Sequence, residues 1–205
     1  MIYYESDLRF EFDSDYWEVK KYDTHRYYKI LSGAGLKGVD FLSIYREKQI
    51  IYIEVKNFRN KHPTAPPSYL ILEDTKAFVD KISEKLSDTH KAIQVIRKYL
   101  GRKWWFRLFL RLQKWIPRSI LAKQDWYFWY KVYELSQRKE QQVLVLWLEI
   151  DTPMPNSNRT LLYDKLDENL ELLLKNQVQK VIISNLKNPT FRDILNVTTQ
   201  ANTKA

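Results

Sequence analysis

Asp40, Glu54 and Lys56 are the residues of this chain whose types and spacing point most directly to chemistry. Glu54 and Lys56 form Glu-Val-Lys after the apolar run Ile50-Ile51-Tyr52-Ile53, and Asp40 opens the run Phe41-Leu42-Ser43-Ile44-Tyr45. Both runs read as strands. Alternate strand residues point to the same side, so Glu54 and Lys56 share a face and Val55 points to the core. If the two strands pair antiparallel, Asp40 starts its strand about level with the end of the other. Two carboxylates and one ammonium then meet at a corner of a sheet. Such a set suits a hard divalent cation, because Mg2+ prefers oxygen ligands and keeps several waters. The ion polarises a phosphoryl oxygen and acidifies its bound water. A lysine beside it stabilises the charge that develops on phosphate. The competing reading is a solvated charge pair between Glu54 and Lys56.

From Val39 to Asn57, the pattern of an Asp, a hairpin and then Glu-x-Lys flanked by apolar residues resembles the PD-(D/E)xK nuclease superfamily. Val39 stands where the motif's name has Pro. The resemblance implies a restriction-endonuclease-like α/β core, a mixed central sheet flanked by helices. In it Asp40 and Glu54 would hold Mg2+ or Mn2+, Lys56 would orient or activate water, and DNA phosphodiester bonds would be hydrolysed. It also implies a helix packed across the sheet after the Glu-x-Lys strand. The superfamily often adds an acidic residue from an N-terminal helix. Glu18 and Asp23 are the candidates here, and each also reads as a cap or surface charge. Many such nucleases work as homodimers.

The bulk numbers bound the function class. The chain has 205 residues, 44% hydrophobic and 15% aromatic, which is enough for one domain with a sizeable core. A formal net charge of +9 points to a polyanionic partner, either nucleic acid or an anionic membrane surface. The absence of cysteine excludes disulfides and thiolate metal sites and is compatible with the reducing cytosol. Met1–Asp7 shows no basic region followed by an apolar run, so the expected location is cytoplasmic. No uncharged apolar stretch approaches the roughly 20 residues of a membrane span.

The elements around the motif follow from periodicity. Leu8, Phe10 and Phe12 alternate with Arg9 and Glu11, and Trp17 and Val19 with Glu18 and Lys20, which predicts a hairpin turned at Asp13-Ser14-Asp15. Asp23 is placed to cap a short helix over Thr24–Leu31. An alternative is one helix from Tyr16 to Leu31 with Asp15 and Glu18 as a capping box. Ser32–Gly38 holds three of the four glycines, but no helix opens after it and the Gly-Lys-Ser/Thr ending is missing, so it fails as a phosphate loop. A turn into the next strand is expected, where glycine also permits close approach of another backbone. After Lys56, three prolines between Asn57 and Pro67 end the sheet. Its basic residues suit phosphate tracking or a plain solvated connection. His62 could serve in catalysis, although a lone loop histidine usually does not.

From Glu73 to about Leu100, Phe78, Ile82, Leu86, Ile93, Ile96 and Leu100 recur at helical steps, with His90 an ordinary member. Next comes an aromatic and basic stretch. Lys103, Arg107, Arg111, Lys114 and Arg118 form one basic stripe on a helix that Pro117 ends or kinks, beside an apolar stripe of Trp104, Leu108, Leu112 and Trp115. Three readings are open. The apolar side packs on the domain and the bases meet DNA phosphates; the segment lies in a membrane interface; or it is a packed helix with a solvated basic side. Lys123–Arg138 predicts a further helix whose cluster Trp126–Tyr130 joins the core, unless its rings stack on bases. Val143–Ile150 reads as a buried central strand ended by Asp151–Pro155, Leu161–Lys175 as an amphipathic helix, Val178–Ser184 as a strand and Phe191–Leu195 as a helical turn before a frayed tail, Asn196–Ala205. The order predicts one α/β domain over 1–205 with a helical insertion or cap over 101–138.

Overall fold

The computed structural model describes residues 1–59, 74–122, 124–150, 156–192 and 194–199. In chain order its elements are β1 (Ile2–Glu5), β2 (Leu8–Phe12), β3 (Trp17–Lys21), α1 (Arg26–Ser32), β4 (Phe41–Tyr45), β5 (Gln49–Phe58), α2 (Thr75–Gly101), α3 (Trp104–Leu112), α4 (Arg118–Leu121), α5 (Asp125–Ser136), β6 (Gln142–Ile150), α6 (Asn156–Leu174), β7 (Lys180–Ser184) and β8 (Leu195–Thr199). They make a mixed α/β structure with two sheets. The larger has the order β3-β4-β5-β6-β7, and the smaller has the order β1-β2-β8.

In the larger sheet β3, β4 and β5 are antiparallel neighbours, while β5, β6 and β7 run parallel. The parallel strands need long crossovers. The chain between β5 and β6, which holds α2 to α5, makes one of them, and the chain between β6 and β7, which holds α6, makes the other. Strands so enclosed are apolar on both sides, which is why Ile50–Ile53 and Val143–Leu148 read as unbroken apolar runs. One side of the sheet, with Leu42, Ile44, Ile50, Tyr52, Leu144, Leu146 and Leu148, packs under α2, α5 and α6. The other side, with Phe41, Ile51, Ile53, Val55, Val145 and Trp147, packs on Leu8, Phe10 and Phe12 of the smaller sheet.

The long helix forms as its periodicity predicts. Asp74 caps α2 by accepting a hydrogen bond from Ala77 N at 2.9 Å, and Phe78, Ile82, Leu86, Ile93, Ile96 and Leu100 are all buried. α5 buries Trp126, Phe128, Trp129, Val132 and Leu135, so this aromatic cluster is core. Among the described residues no helix is long and apolar enough to cross a membrane.

Four expectations change. Leu8–Phe12 and Trp17–Lys21 are both strands, but not a hairpin. β2 already has β1 on one edge and β8 on the other, so β3 turns away at Asp13 and pairs with β4. The tail does not fray from Asn196. β8 pairs with β2 and buries Leu195, where a helical turn was expected. The short helix begins at Arg26, and its cap is His25, which accepts from Tyr27 N, rather than Asp23. The helix carrying the basic stripe ends at Leu112, well before Pro117, so the five bases do not share one helix. His62 and Asp151–Pro155 lie outside the described residues.

Candidate active site

β4 and β5 pair in the register Phe41↔Ile53, and its next step sets Asp40 opposite Glu54. Phe41 and Ile53 face the smaller sheet, so by alternation Asp40 and Glu54 face the helices, and Lys56 follows on the same side. The antiparallel pairing expected from the sequence is present, and it brings Asp40, Glu54 and Lys56 to one corner.

Asp40 is held at both ends. Its carbonyl accepts from Tyr22 N at 2.8 Å, and its Oδ2 accepts from Val55 N at 2.6 Å. The segment before it is fixed by α2. Asp88 Oδ2 accepts from Lys37 N at 3.1 Å, and Thr89 Oγ1 accepts from Val39 N at 3.1 Å while donating to Lys85 O at 2.8 Å. Gly38 is required between them. A Cβ there would stand 2.6 Å from Tyr22 Cε1 and 2.9 Å from Tyr28 Cε2. The glycine thus admits two tyrosine rings.

Lys85 of α2 was not anticipated. Its Nζ lies 2.7 Å from Glu54 Oε1 and 3.7 Å from Asp40 Oδ1. Lys56 Nζ also donates to Glu54 Oε1. Glu54 has 0% side-chain exposure, and its second oxygen, Oε2, is buried without a hydrogen-bond partner among the described residues. Two ammonium groups and two carboxylates therefore form one partly buried cluster. Burial, reinforced by Glu54, pushes the Asp40 carboxyl up to about 6, against the pull of Lys85, the Val55 N–H and Lys56. Burial works against the Lys85 ammonium, but Glu54 and then Asp40 outweigh it and raise its pKa above the ordinary lysine value.

The two candidates for a further acidic group separate. Glu18 is on β3 opposite Ile44, about 13 Å along the sheet from the level of Asp40. Burial, then Glu47, raises its carboxyl. Asp23 follows Tyr22, whose backbone holds Asp40, and lies within the electrostatic reach of Lys85. Its Oδ1 is buried without a hydrogen-bond partner among the described residues.

The donor set fits a hard divalent ion. Asp40 and Glu54 would hold it, the unpartnered Glu54 Oε2 offers an oxygen not already committed, and solvent would complete the shell. Among the described residues no group of three or more His, Asp or Glu side chains is arranged to hold a metal, so Asp23 does not join the other two as a ligand set.

The basic stripe lies elsewhere. Lys85 and Gly101 are on the same helix, about 24 Å apart along its axis, and α3 starts only beyond Gly101. Arg107, Arg111 and Lys114 are exposed, while Lys103 is half-buried with its Nζ 4.9 Å from the Tyr99 ring centroid. The side chain of Arg118 is outside the described set. The apolar stripe is not packed on the body of the protein, because Trp104, Leu108, Leu112 and Trp115 are all exposed. Phe106 is the residue of α3 that enters the core. Compared with family models, with curated proteins and with solved structures, the chain matches none.

Proposed function

We propose that the protein is a metal-dependent endonuclease of DNA built on a restriction-endonuclease-like core, acting in the cytoplasm, with residues 101–138 as a helical cap. The observation that carries this reading is the convergence of Asp40, Glu54 and Lys56 under α2, with a buried oxygen of Glu54 left uncommitted among the described residues. Mg2+ or Mn2+, when bound, would polarise the scissile phosphate and supply an acidified water. Asp40 and Glu54 hold the ion, and Asp40 is aimed by the N–H of Val55. Lys56 orients water and stabilises charge on the phosphate oxygens. Lys85 balances the two carboxylates when no divalent ion is there and contributes a second cation toward phosphate when one is.

The test is hydrolysis of plasmid and single-stranded DNA with Mg2+ or Mn2+. Cleavage is expected, and Glu54→Ala and Lys56→Ala should each abolish it. Cleavage that survives either substitution overturns the assignment of these residues.

A second reading is favoured by one observation. Lys85 Nζ already sits among the carboxylates, so the corner is charge-compensated without a metal. On this reading the chain is a non-catalytic DNA-binding module on the same core. It would bind DNA in a salt-sensitive way, indifferent to chelator, and would cut under no metal.

A further inference from the structure

The outward side of α3 is apolar and basic and is not covered by the described residues. Trp104 is 73% exposed, Leu108 and Leu112 follow it at successive steps of four, and Trp115 is 84% exposed in the turn beyond. Residues four apart on a helix lie on one side, so these side chains form a continuous outward ridge. Arg107 and Arg111, also four apart and exposed, run beside it, and Lys114 is exposed after them. No acidic residue occurs between Gly101 and Gln124. The helix is fixed from behind by Phe106, whose buried ring meets the Trp126 ring edge-on at 5.7 Å and lies 5.1 Å from the Arg97 guanidinium. Phe109 stacks on Trp126 at 5.6 Å. The ridge is therefore presented by an anchored helix.

We propose that this face docks on the surface of an anionic phospholipid membrane. The chemistry of the ridge favours lipid over the alternatives. Tryptophan rings settle at the level of lipid headgroups, and leucines between them enter the acyl boundary, while arginine and lysine at the rim meet lipid phosphates. A nucleic-acid strand would stack on the tryptophans, but it offers Leu108 and Leu112 only sugar and phosphate. The face begins some 24 Å from Lys85 along α2, so membrane docking leaves the carboxylate corner clear.

The experiment is flotation of the full chain with vesicles of phosphatidylcholine alone and with about one-third phosphatidylglycerol, near physiological salt. Binding to the anionic vesicles is expected, at least about tenfold stronger than to neutral ones. Two variants, Trp104→Ala with Trp115→Ala and Arg107→Glu with Arg111→Glu, should each lose about tenfold or more. All four side chains are exposed, so thermal unfolding of both variants should match the parent. Indifference to vesicles, or binding that both variants retain, overturns the proposal. So does a face that captures short DNA duplexes and ignores vesicles, or one that drives concentration-dependent self-association lost in the tryptophan variant. Plasmid hydrolysis by the tryptophan variant should stay at the parent level, so failure here and failure of the nuclease reading are separately visible.

Discussion

Lys85 Nζ stands 2.7 Å from Oε1 of the fully buried Glu54, and the same ammonium lies 3.7 Å from Asp40 Oδ1. A charge as deeply placed as Glu54 needs a counter-charge, and removing one partner of such a pair usually costs several kcal/mol. Lys56 remains in Lys85→Ala, so the expected loss for the metal-free protein is smaller, roughly 1–3 kcal/mol. A divalent ion at the corner would replace the missing charge. Mn2+ should therefore raise the denaturation midpoint of Lys85→Ala by more than that of the parent. Equal responses of the two proteins to Mn2+, read by urea unfolding with and without chelator, would refute a shared site.

Asp40 gives a pH signature. Its carboxyl is raised from 3.8 to about 6 by burial and by Glu54. The folded state then holds the proton more tightly than the unfolded chain. The contribution is complete below 3.8 and is lost as pH rises through about 6. A shift of this size corresponds to roughly 3 kcal/mol. His90, whose pKa burial lowers, acts in the opposite sense, since its stabilising neutrality is lost as pH falls below 6.5. The clean measurement is a difference. In chelator, the stability of the parent minus that of Asp40→Asn should decline from pH 4 to pH 7, and a flat difference would show that Asp40 titrates normally.

Gly38 should be the least replaceable glycine. A Cβ would fall 2.6 Å from a ring carbon of Tyr22, which is fully buried. Gly38→Ala should cost about 2 kcal/mol or more through overpacking and displacement of the Asp40 segment. Gly33→Ala meets its nearest atom, Ile30 O, at 3.5 Å and should be neutral within about 0.5 kcal/mol. Thermal unfolding of the two variants checks the contrast.

The legible part of this protein was what short-range pattern controls. Period two gave β2 and β3, apolar runs gave β4 and β5, helical spacing gave α2, and the spacing of Asp40 and Glu54-x-Lys56 fixed their common side once antiparallel pairing was assumed. Lys85 was hidden because nothing local ties residue 85 to residue 54. One signal was present. Thr89 falls at a core step between Leu86 and Ile93, and a polar residue there marks a helix side that turns to something other than hydrocarbon. The partition of β2 and β3 between two sheets depends on β8, far away in sequence, so the local hairpin signal misled. The apolar stripe of α3 was correctly seen as a stripe. Its direction depended on whether Phe106 or Trp104 entered the core, and periodicity alone assigns either.

Tyr52 sits two residues before Glu54 on the same side of β5, yet it belongs to a different assembly. Its hydroxyl donates to Gln142 Oε1 at 2.9 Å, and His90 Nε2 lies 2.9 Å from the same oxygen. With the hydroxyl proton committed to Gln142, the imidazole must donate, so its Nε2 carries a proton, while burial lowers the His90 pKa and disfavours the charged form. Gln142 in turn donates to Ser136 O at 3.0 Å. This buried chain ties α2, β5 and β6 together and has a structural task. Tyr52→Phe removes the shared oxygen and leaves two buried groups without their partner, at an expected cost of about 1–3 kcal/mol. Below its unfolding transition the variant should hydrolyse plasmid at the parent rate if the corner of Asp40, Glu54 and Lys56 is the reacting centre. A folded Tyr52→Phe protein that fails to cleave would move that centre toward His90.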